Sequence, residues 1–269
     1  MTLPCALTVA GSDSSGGAGI QADLKTFAAL HVYGASAITA LTAQNTRGVF
    51  GIFAAPPEFV AQQIDVVCED LPIRAVKTGM LGSAPLIEAV ALSLQRQKQK
   101  QRHGFPIVVD PVMVAKSGDA LLPDDAVDAL KKHLLPCAAV VTPNLPEAAR
   151  LLGFDVRSVQ DQERAGRGLL ELGAQAALVK GGHARGDPID VLVTKTAVVR
   201  IPAQRIVTQH THGTGCTYAA AIAAYLARGF VVEDAVRRAH GYVQLAIAQA
   251  PGLGHGHGPL HHLHPFYPA

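Results

Sequence analysis

The chain has 269 residues and a formal net charge of +2, and 49% of its residues are hydrophobic and 16% charged. An apolar fraction this high can bury a large core, and the length suits one α/β domain spanning residues 1–269. Lysines and arginines are scattered along the chain, whereas nucleic-acid binding needs a concentrated basic face, so no nucleic-acid partner is expected.

The sequence predicts neither a membrane partner nor a secretory signal. No apolar run approaches the roughly 20 residues that span a bilayer, and no basic stretch precedes the apolar residues of the N-terminus. The cysteines lie far apart without a CxxC pair, at Cys5, Cys68, Cys137 and Cys216. A disulfide framework is therefore not expected, and a reduced, cytoplasmic location is.

Apolar strand-like segments alternate with helix-period segments along the chain. Strands are predicted at residues 6–11, 35–43, 74–79, 106–110, 138–143 and 176–181. Helices are predicted at 18–31, 57–70, 84–101, 124–135, 145–152, 160–172, 214–228 and 233–249. Several strands are continuously apolar, as in a parallel sheet covered on both faces. The predicted fold class is a three-layer α/β/α sandwich with a mostly parallel central sheet.

Two segments depart from this alternation. Residues 189–201 predict a two-stranded hairpin added antiparallel at the sheet edge. Residues 252–269 form a Gly-, Pro- and His-rich tail without periodicity. The histidines of the tail suggest zinc, but they lack the acidic or cysteine partners of a structural zinc site. A surface tail or a flap over the active site is the favoured interpretation.

The first predicted strand is followed by a glycine-rich loop that opens a helix, in the segment AGSDSSGGAGIQADLK. Its spacing fits neither a dinucleotide-binding motif nor a P-loop. Ligands bind beyond the carboxyl ends of strands in α/β sheets, so a substrate loop containing Gly11 is favoured over a flexible turn. Asp23, one turn into the helix, could point into that crevice or could only interact with the helix dipole.

Oxygen-bearing side chains follow two later strands. Asp110 ends the fourth strand, and Asn144 and Glu147 follow the fifth. Magnesium usually takes one or two carboxylates together with water and substrate phosphates, which suits these residues. Helix capping explains Asn144 and Glu147 equally well. Lys180 follows the sixth strand, either near phosphates or at an exposed strand end.

The segment THGTGC, residues 211–216, precedes a long helix of small residues. A glycine-rich turn at a helix start directs free backbone N–H groups outward and suits a phosphate, although an ordinary turn capped by Thr214 has the same spacing. Cys216 lies at the helix start, where the dipole is expected to favour the thiolate. A buried, inert cysteine is the alternative.

Taken together, these loops resemble those of the ribokinase-like superfamily, and in particular its hydroxymethylpyrimidine/phosphomethylpyrimidine kinases. The motifs occur in order along nearly the whole chain: AGSDSSGGAGIQADLK, ALTAQNTRG, VKTGML, DPVMVAKSG, TPNLPEA, VKGGH, THGTGC and GHGPL. Most ribokinase-like kinases have an aspartate where this chain has Cys216. The cysteine is typical of the pyrimidine kinases and of related pyridoxal kinases.

The resemblance implies ATP and Mg²⁺ as cofactors, two successive phosphorylations of a pyrimidine, and a homodimer. It implies that the pyrimidine is bound by Gln44, Asp23, Gly11, Met80 and Val112. It implies that Mg-ATP is bound by Asp110, Asn144, Glu147, Lys180, Thr211 and Thr214, with the metal at Asp110 and Glu147, directly or through water. Gly213, Gly215 and Cys216 are the implied catalytic residues, with the cysteine orienting or deprotonating the hydroxymethyl group.

Residue chemistry supports part of this assignment. A glutamine amide offers a donor and an acceptor that match the donor and ring-nitrogen acceptor of an aminopyrimidine edge. Phosphoryl transfer depends mainly on positioning and charge stabilisation, which a helix N-terminus supplies. A pyridoxal kinase or a dual enzyme is the nearest rival, and a non-catalytic pyrimidine sensor is a more distant one that would not need the phosphate-binding residues.

Overall fold

The computed structural model describes residues 3–113, 122–182 and 187–267. Its centre is a nine-stranded sheet in the order β3-β2-β1-β4-β5-β6-β7-β8-β9. The strands are β1 (Cys5–Asp13), β2 (Tyr33–Asn45), β3 (Gly48–Ala54), β4 (Ile73–Thr78), β5 (Ile107–Val109), β6 (Val140–Val141), β7 (Ala176–Val179), β8 (Ile189–Thr194) and β9 (Val198–Pro202).

The six strands from β2 to β7 in this order pair in parallel, and their carboxyl ends therefore lie at one edge. The chain passes from β1 to β2 on one side and later places β4 on the other side of β1. This reversal of strand order opens a crevice beyond the carboxyl ends of β1 and β4. In open α/β sheets such a crevice is the usual ligand site.

Helices cover both faces of the sheet. They are α1 (Gly19–Ala29), α2 (Pro57–Asp70), α3 (Ala84–Lys100), α4 (Asp124–Ala129), α5 (Leu145–Leu152), α6 (Val159–Glu171), α7 (Thr214–Ala227) and α8 (Val232–Ala248). Helices α2 to α6 pack on one face, whereas α1, α7 and α8 pack on the other. Successive strand residues such as Val140 and Val141 enter opposite cores, because side chains alternate across a strand. The predicted three-layer sandwich is thus confirmed.

All six predicted strands, the eight predicted helices and the antiparallel hairpin of β8 and β9 are present in the structure, with shifted ends. The sequence analysis missed β3, which pairs antiparallel with β2 at the opposite edge. The missed strand is mostly exposed although its sequence, GVFGIFA, is apolar, and its two glycines weaken the strand signal. Beyond α4 the chain continues as a π-helical turn over Leu130–Leu134 and a 3₁₀ turn over Leu135–Cys137. Residues 114–118 of the DPVMVAKSG motif and His183 lie outside the described residues.

Across the three described ranges, no helix is both long enough and apolar enough to cross a membrane.

A buried ion pair joins α1 to β4. Lys77 Nζ lies 2.8 Å from Asp23 Oδ2, and neither side chain is exposed. The Thr8 hydroxyl donates a further hydrogen bond of 2.6 Å to the same carboxylate. Burial alone would lower the pKa of Lys77, but the adjacent Asp23 carboxylate raises it above its ordinary value, so the lysine keeps its charge.

This pair corrects the interpretation of Asp23. The sequence placed Asp23 in the substrate crevice, but its carboxylate is turned away from the cavity toward Lys77 and Thr8. The reason is electrostatic, because a fully buried ammonium group needs a carboxylate partner, and Asp23 is the one within reach. Asp23 therefore stabilises the fold beneath the site rather than contacting a ligand.

We expect Asp23→Ala to lower the free energy of unfolding by about 3–5 kcal/mol, because it leaves the charge of Lys77 buried without a partner. The double variant Asp23→Leu/Lys77→Met removes both charges and should recover most of that loss. Urea unfolding followed by circular dichroism measures both. A loss below about 1 kcal/mol for Asp23→Ala would show that the Lys77 ammonium group is hydrated from the cavity.

Candidate active site

A cavity of about 670 Å³ lies at the carboxyl edge of the parallel strands. This volume is in the range of small-molecule and cofactor sites, roughly 300–1,000 Å³. Each central strand delivers residues to its wall. These residues are Gly11, Ser12 and Asp13 from β1, Met80 after β4, Asp110 after β5, Asn144 after β6 and Lys180 after β7.

Helix α7 begins at this cavity. Its N-cap residue, Gly213, has φ of +80°, a left-handed conformation that favours glycine. A Cβ atom there would also overlap the carbonyl oxygen of Gly17. The first N–H groups of a helix have no acceptor within it, so the start of α7 offers hydrogen-bond donors and the positive end of the helix dipole. The Thr214 hydroxyl donates to the Thr211 carbonyl at 2.8 Å and stabilises the turn, and no side chain caps the helix.

An ion pair faces the start of α7. Lys180 Nζ lies 3.1 Å from Asp110 Oδ1, and the side chains are 12% and 3% exposed. A Cβ atom on Gly215 would lie 3.4 Å from Lys180 Nζ and 3.6 Å from Asp110 Oδ2, so the turn packs directly against the pair. Burial opposes the charge of Lys180, but Asp110 and Glu147 raise its pKa. The alternative that Lys180 is an exposed strand end is wrong.

Asn144 and Glu147 form a capping box at the start of α5. The Asn144 side chain accepts from the Glu147 backbone N–H at 2.9 Å, and the Glu147 carboxylate accepts from the Asn144 backbone N–H at 2.8 Å. Both residues also line the cavity, so capping and a site role coexist. Burial raises the pKa of Glu147 to about 7; Lys180 opposes this rise and Asp110 adds to it. Glu147 therefore titrates near neutral pH.

Cys216 occupies the first turn of α7 and lines the cavity. Burial raises the pKa of its thiol to about 11, although Lys77 opposes this rise and the Gly19 backbone N–H hydrogen-bonds to the sulfur. The expectation that the helix start favours the thiolate is wrong for this structure. Desolvation of the sulfur is the largest cause of the raised pKa, and the charges of Asp23 and Asp110 act in the same direction.

Another part of the cavity lining is formed around Gln44 at the end of β2. The Thr42 hydroxyl lies 2.9 Å from the Ser12 carbonyl oxygen and 3.1 Å from Gln44 Oε1, and the amide nitrogen of Gln44 faces His212 Nε2 at 3.4 Å. The same His212 nitrogen lies 2.8 Å from Asp13 Oδ2. With its proton on Nε2, a neutral His212 ring donates a hydrogen bond to Asp13. The hydrogens of the Gln44 amide nitrogen therefore remain available to a ligand.

Asp13 organises the glycine-rich loop. Its carboxylate accepts hydrogen bonds from the backbone N–H groups of Ser15, Gly17 and Ala18 at 2.8, 3.1 and 2.8 Å. Burial would raise the pKa of Asp13, but the hydrogen bonds from His212, Ser15 and Ala18 lower it to about 2. The sequence analysis missed Asp13 and His212. Their positions just after a strand and before the 213–216 turn were the available signal, but only the fold shows that they meet.

A third group of lining residues comes from β8, α7 and α8. Asp190 accepts from the Gly181 backbone N–H at 2.8 Å, and Tyr218 and His240 lie on the same wall. Burial raises the pKa of Asp190, with hydrogen bonding from Gly181 and the charge of His240 opposing the rise. The sequence analysis missed these residues, because nothing in their local spacing connects them.

Apart from Asp23, the structure brings every sequence-predicted site residue to this cavity. They are Gly11, Gln44, Met80, Asp110, Val112, Asn144, Glu147, Lys180, Thr211, Gly213, Thr214, Gly215 and Cys216. Within residues 3–113, 122–182 and 187–267, no group of three or more His, Cys, Asp or Glu side chains is arranged to hold a metal ion. Asp110 and Glu147 still suit Mg²⁺, which completes its shell with water and phosphate oxygens.

The doubly wound sheet and a cavity combining an ion pair, carboxylates and a helix N-terminus define a kinase of the ribokinase-like class. A family model described as phosphomethylpyrimidine kinase matches residues 13–261. The chain belongs to the phosphomethylpyrimidine kinase family.

Two relatives and one solved structure agree with this assignment. The hydroxymethylpyrimidine/phosphomethylpyrimidine kinase of Rhizobium meliloti is 52% identical over 263 residues, covering 96% of this chain and 97% of the relative. The thiamine biosynthesis bifunctional protein ThiED of Geobacter sulfurreducens is 52% identical over 96% of this chain, which spans about half, 52%, of that protein. The pyridoxal kinase of Staphylococcus aureus in complex with AMP-PCP and pyridoxal has a TM-score of 0.89 at 33% identity, covering 99% of this chain and 96% of the other.

The raised pKa of Cys216 predicts its reactivity. In the ligand-free protein, the rate of alkylation by iodoacetamide should rise about tenfold per pH unit from pH 7 to 10 without levelling off, because the thiolate is the reactive form and the pKa is about 11. Mass spectrometry of the labelled Cys216 peptide measures the rate, in a Cys137→Ser background that removes the more accessible of the other thiols. A rate that reaches its plateau below pH 8 would show a thiolate at neutral pH instead.

Proposed function

We propose that the protein transfers a phosphoryl group from ATP to the hydroxymethyl group of 4-amino-5-hydroxymethyl-2-methylpyrimidine. A second transfer to the monophosphate would give the diphosphate for thiamine biosynthesis. One observation carries this proposal: a single cavity joins a hydrogen-bonding wall at Gln44 to a phosphate-binding wall at Asp110, Lys180 and the start of α7.

The Gln44 wall suits an aminopyrimidine. Its amide nitrogen has hydrogens to give to a ring nitrogen, and its carbonyl oxygen can accept from an exocyclic amino group as well as from Thr42. Gly11 and Met80 are adjacent, with a Cβ on Gly11 reaching to 3.6 Å from the Met80 sulfur, so the ring would lie against a flat, apolar surface. The relative from Rhizobium meliloti, a hydroxymethylpyrimidine/phosphomethylpyrimidine kinase at 52% identity, supports this substrate.

The phosphate wall suits the transfer step. The alcohol oxygen attacks the γ-phosphorus of ATP, the bond from that phosphorus to the β–γ bridging oxygen breaks, ADP leaves, and the hydroxyl proton passes to water or to an oxygen of the transferred phosphoryl group. Charge develops on the transferring group, where Lys180 and the N–H groups at the start of α7 can stabilise it without reorganisation. Cys216 carries a proton at neutral pH in the empty cavity, so we assign it to orienting the hydroxymethyl group by hydrogen bonding rather than to removing its proton.

A pyridoxal kinase is the second candidate, because the solved structure with AMP-PCP and pyridoxal has the same fold at a TM-score of 0.89. Sequence identity favours the pyrimidine kinases, at 52% compared with 33%. Gln44 also favours a pyrimidine substrate, because pyridoxal lacks the exocyclic amine to which the glutamine would hydrogen-bond.

We assign Mg²⁺ to Asp110 and Glu147, through water or ATP phosphates. Both carboxylates line the cavity near Lys180, which forms an ion pair with Asp110 and opposes the rise in the pKa of Glu147. We further propose a homodimer and a cytoplasmic location. Exposed apolar side chains on β2 and β3, Leu41, Phe50, Ile52 and Phe53, form a patch at the sheet edge that a second copy would cover. The four cysteines are free thiols, as in a reducing compartment.

The decisive experiment is an ATP-dependent assay of the protein on hydroxymethylpyrimidine, its monophosphate and pyridoxal in parallel. We expect both pyrimidines to be phosphorylated and to be preferred over pyridoxal. If the parent protein prefers pyridoxal, the pyrimidine assignment is wrong and only the assignment of kinase activity stands. A protein that binds the pyrimidine but phosphorylates none of the three is a sensor.

Gln44→Leu tests whether the Gln44 amide recognises the pyrimidine ring by hydrogen bonding. It leaves a polar edge of the bound pyrimidine unpaired, which costs roughly 1–3 kcal/mol, so kcat/KM for hydroxymethylpyrimidine should fall by roughly one to two orders of magnitude. Activity on pyridoxal should fall less. Gln95→Leu, the same change on the exposed surface of α3, is the matched control. Equal losses on both substrates would show that Gln44 supports the cavity without reading the ring.

Asp110→Asn tests the metal assignment. Because it removes a negative charge at the phosphate wall, the Mg²⁺ concentration for half-maximal rate should rise by roughly tenfold, the equivalent of about 1.4 kcal/mol. Asp128→Asn makes the same change on a side chain of α4 that is 83% exposed and should not alter the Mg²⁺ dependence. If Asp110→Asn and Glu147→Gln both keep the parent Mg²⁺ dependence, neither carboxylate holds the metal.

A further inference from the structure

The histidine-rich tail is packed against the substrate end of the cavity. We call residues 252–267 the C-terminal strap. The strap lies across two segments that are far apart in sequence: the turn between β2 and β3, residues 45–47, and the loop before α7, residues 208–213. The sequence left the role of this tail open.

The first attachment is to Thr46, two residues after Gln44. The His257 backbone N–H donates to the Thr46 carbonyl oxygen at 2.8 Å, and the Gly256 backbone N–H donates to the Thr46 hydroxyl at 3.1 Å. The approach is close enough that a Cβ atom on Gly256 would overlap the Thr46 carbonyl oxygen. Movement of the strap would therefore move the turn that follows Gln44.

The second attachment is to His212, which faces Gln44 across the cavity wall. The His212 backbone N–H donates to the Gly258 carbonyl oxygen at 3.0 Å, and His212 forms a bridge with Pro259. The His257 ring nitrogen Nδ1 lies 3.1 Å from the Gln209 carbonyl oxygen. One short stretch of the strap, residues 256–259, thus contacts both the turn after Gln44 and the loop before α7.

A buried histidine anchors the strap to the protein. His262 Nε2 lies 3.0 Å from the hydroxyl of Thr217, the residue after Cys216, and the Tyr242 hydroxyl donates to the His262 carbonyl oxygen at 2.6 Å. His262 is 4% exposed. Burial lowers its pKa to about 3, and the nearby charge of Lys25 adds to the effect, so the ring stays neutral and available for this bond.

We infer that the C-terminal strap is a positioning element of the substrate site, which holds Gln44 and His212 at the spacing that the pyrimidine requires. Its action is on substrate affinity, through the turn at Thr46, and the strap itself touches no reacting atom. This inference rests on the proposed function for the identity of the substrate. It assigns to residues 252–267 a role in specificity that is separate from ATP binding.

Gly256→Ala tests the inference, because its methyl group forces the strap away from Thr46. We expect KM for hydroxymethylpyrimidine to rise by roughly tenfold, about 1.4 kcal/mol, with kcat, KM for ATP and the melting temperature close to the parent values. Gly241→Ala is the matched control, since a Cβ atom at this exposed position of α8 meets nothing within 4 Å. An unchanged KM for the pyrimidine, or equal increases in the KM of pyrimidine and ATP, overturns the inference.

Thr46→Val provides a milder variant in case Gly256→Ala does not fold. It removes the hydroxyl that accepts from Gly256 and keeps the shape of the side chain, whereas Thr46→Ser keeps the hydroxyl. We expect KM for the pyrimidine to rise in Thr46→Val and to return toward the parent value in Thr46→Ser. Equal KM values for the pyrimidine in Thr46→Val and Thr46→Ser would contradict a positioning role of the strap.

A double-mutant cycle with Gln44→Leu separates this inference from the proposed function. If the strap acts through Gln44, Gly256→Ala should add little to the loss already caused by Gln44→Leu. If the two substitutions have additive effects on pyrimidine binding, the strap does not act through Gln44. A Gln44→Leu variant that behaves like the parent counts against the substrate assignment, while a Gly256→Ala variant that behaves like the parent counts against the strap alone.

Discussion

Parallel pairing of the strands from β2 to β7 aligns their carboxyl ends at one edge of the sheet, and the candidate site depends on that alignment. Residues that follow separate strands, such as Asp13, Asp110 and Lys180, become neighbours around one cavity only because the strands run in the same direction. The reversal of strand order at β1 widens the crevice there. Helices on both faces then leave that edge as the place where a ligand can enter.

Buried charges set the electrostatics of the cavity. Lys77 and Lys180 are each held by an aspartate in a region from which water is largely excluded. In such surroundings charges interact more strongly than in water, so both ammonium groups interact electrostatically with Cys216. The thiol nevertheless keeps its proton, because its own desolvation is the largest contribution to its pKa. Position at a helix start is therefore not sufficient to make a cysteine reactive.

The substrate end is held together by contacts between four separate parts of the chain. Asp13 binds the glycine-rich loop and His212, His212 faces Gln44, and the C-terminal strap bonds to His212 and Thr46. Each of these segments forms hydrogen bonds with groups supplied by another. The cavity lining around Gln44 thus depends on contacts between separate loops, whereas the lining around Asp110 and Lys180 rests on strand ends and one long helix.

The sequence by itself determined the sandwich and the order of its strands and helices, because hydrophobic period is a local signal, and the resemblance of its motifs pointed to nearly all of the predicted residues that line the cavity. It missed β3, whose side chains face mostly outward, and it could not show that Asp23 turns toward Lys77 instead of the cavity. Only the tertiary structure joined Asp13 to His212, placed the strap at Thr46 and raised the pKa of Cys216. Those properties come from burial and from contacts between residues up to about two hundred positions apart, such as Asp13 and His212 at a separation of 199, and no local pattern encodes them.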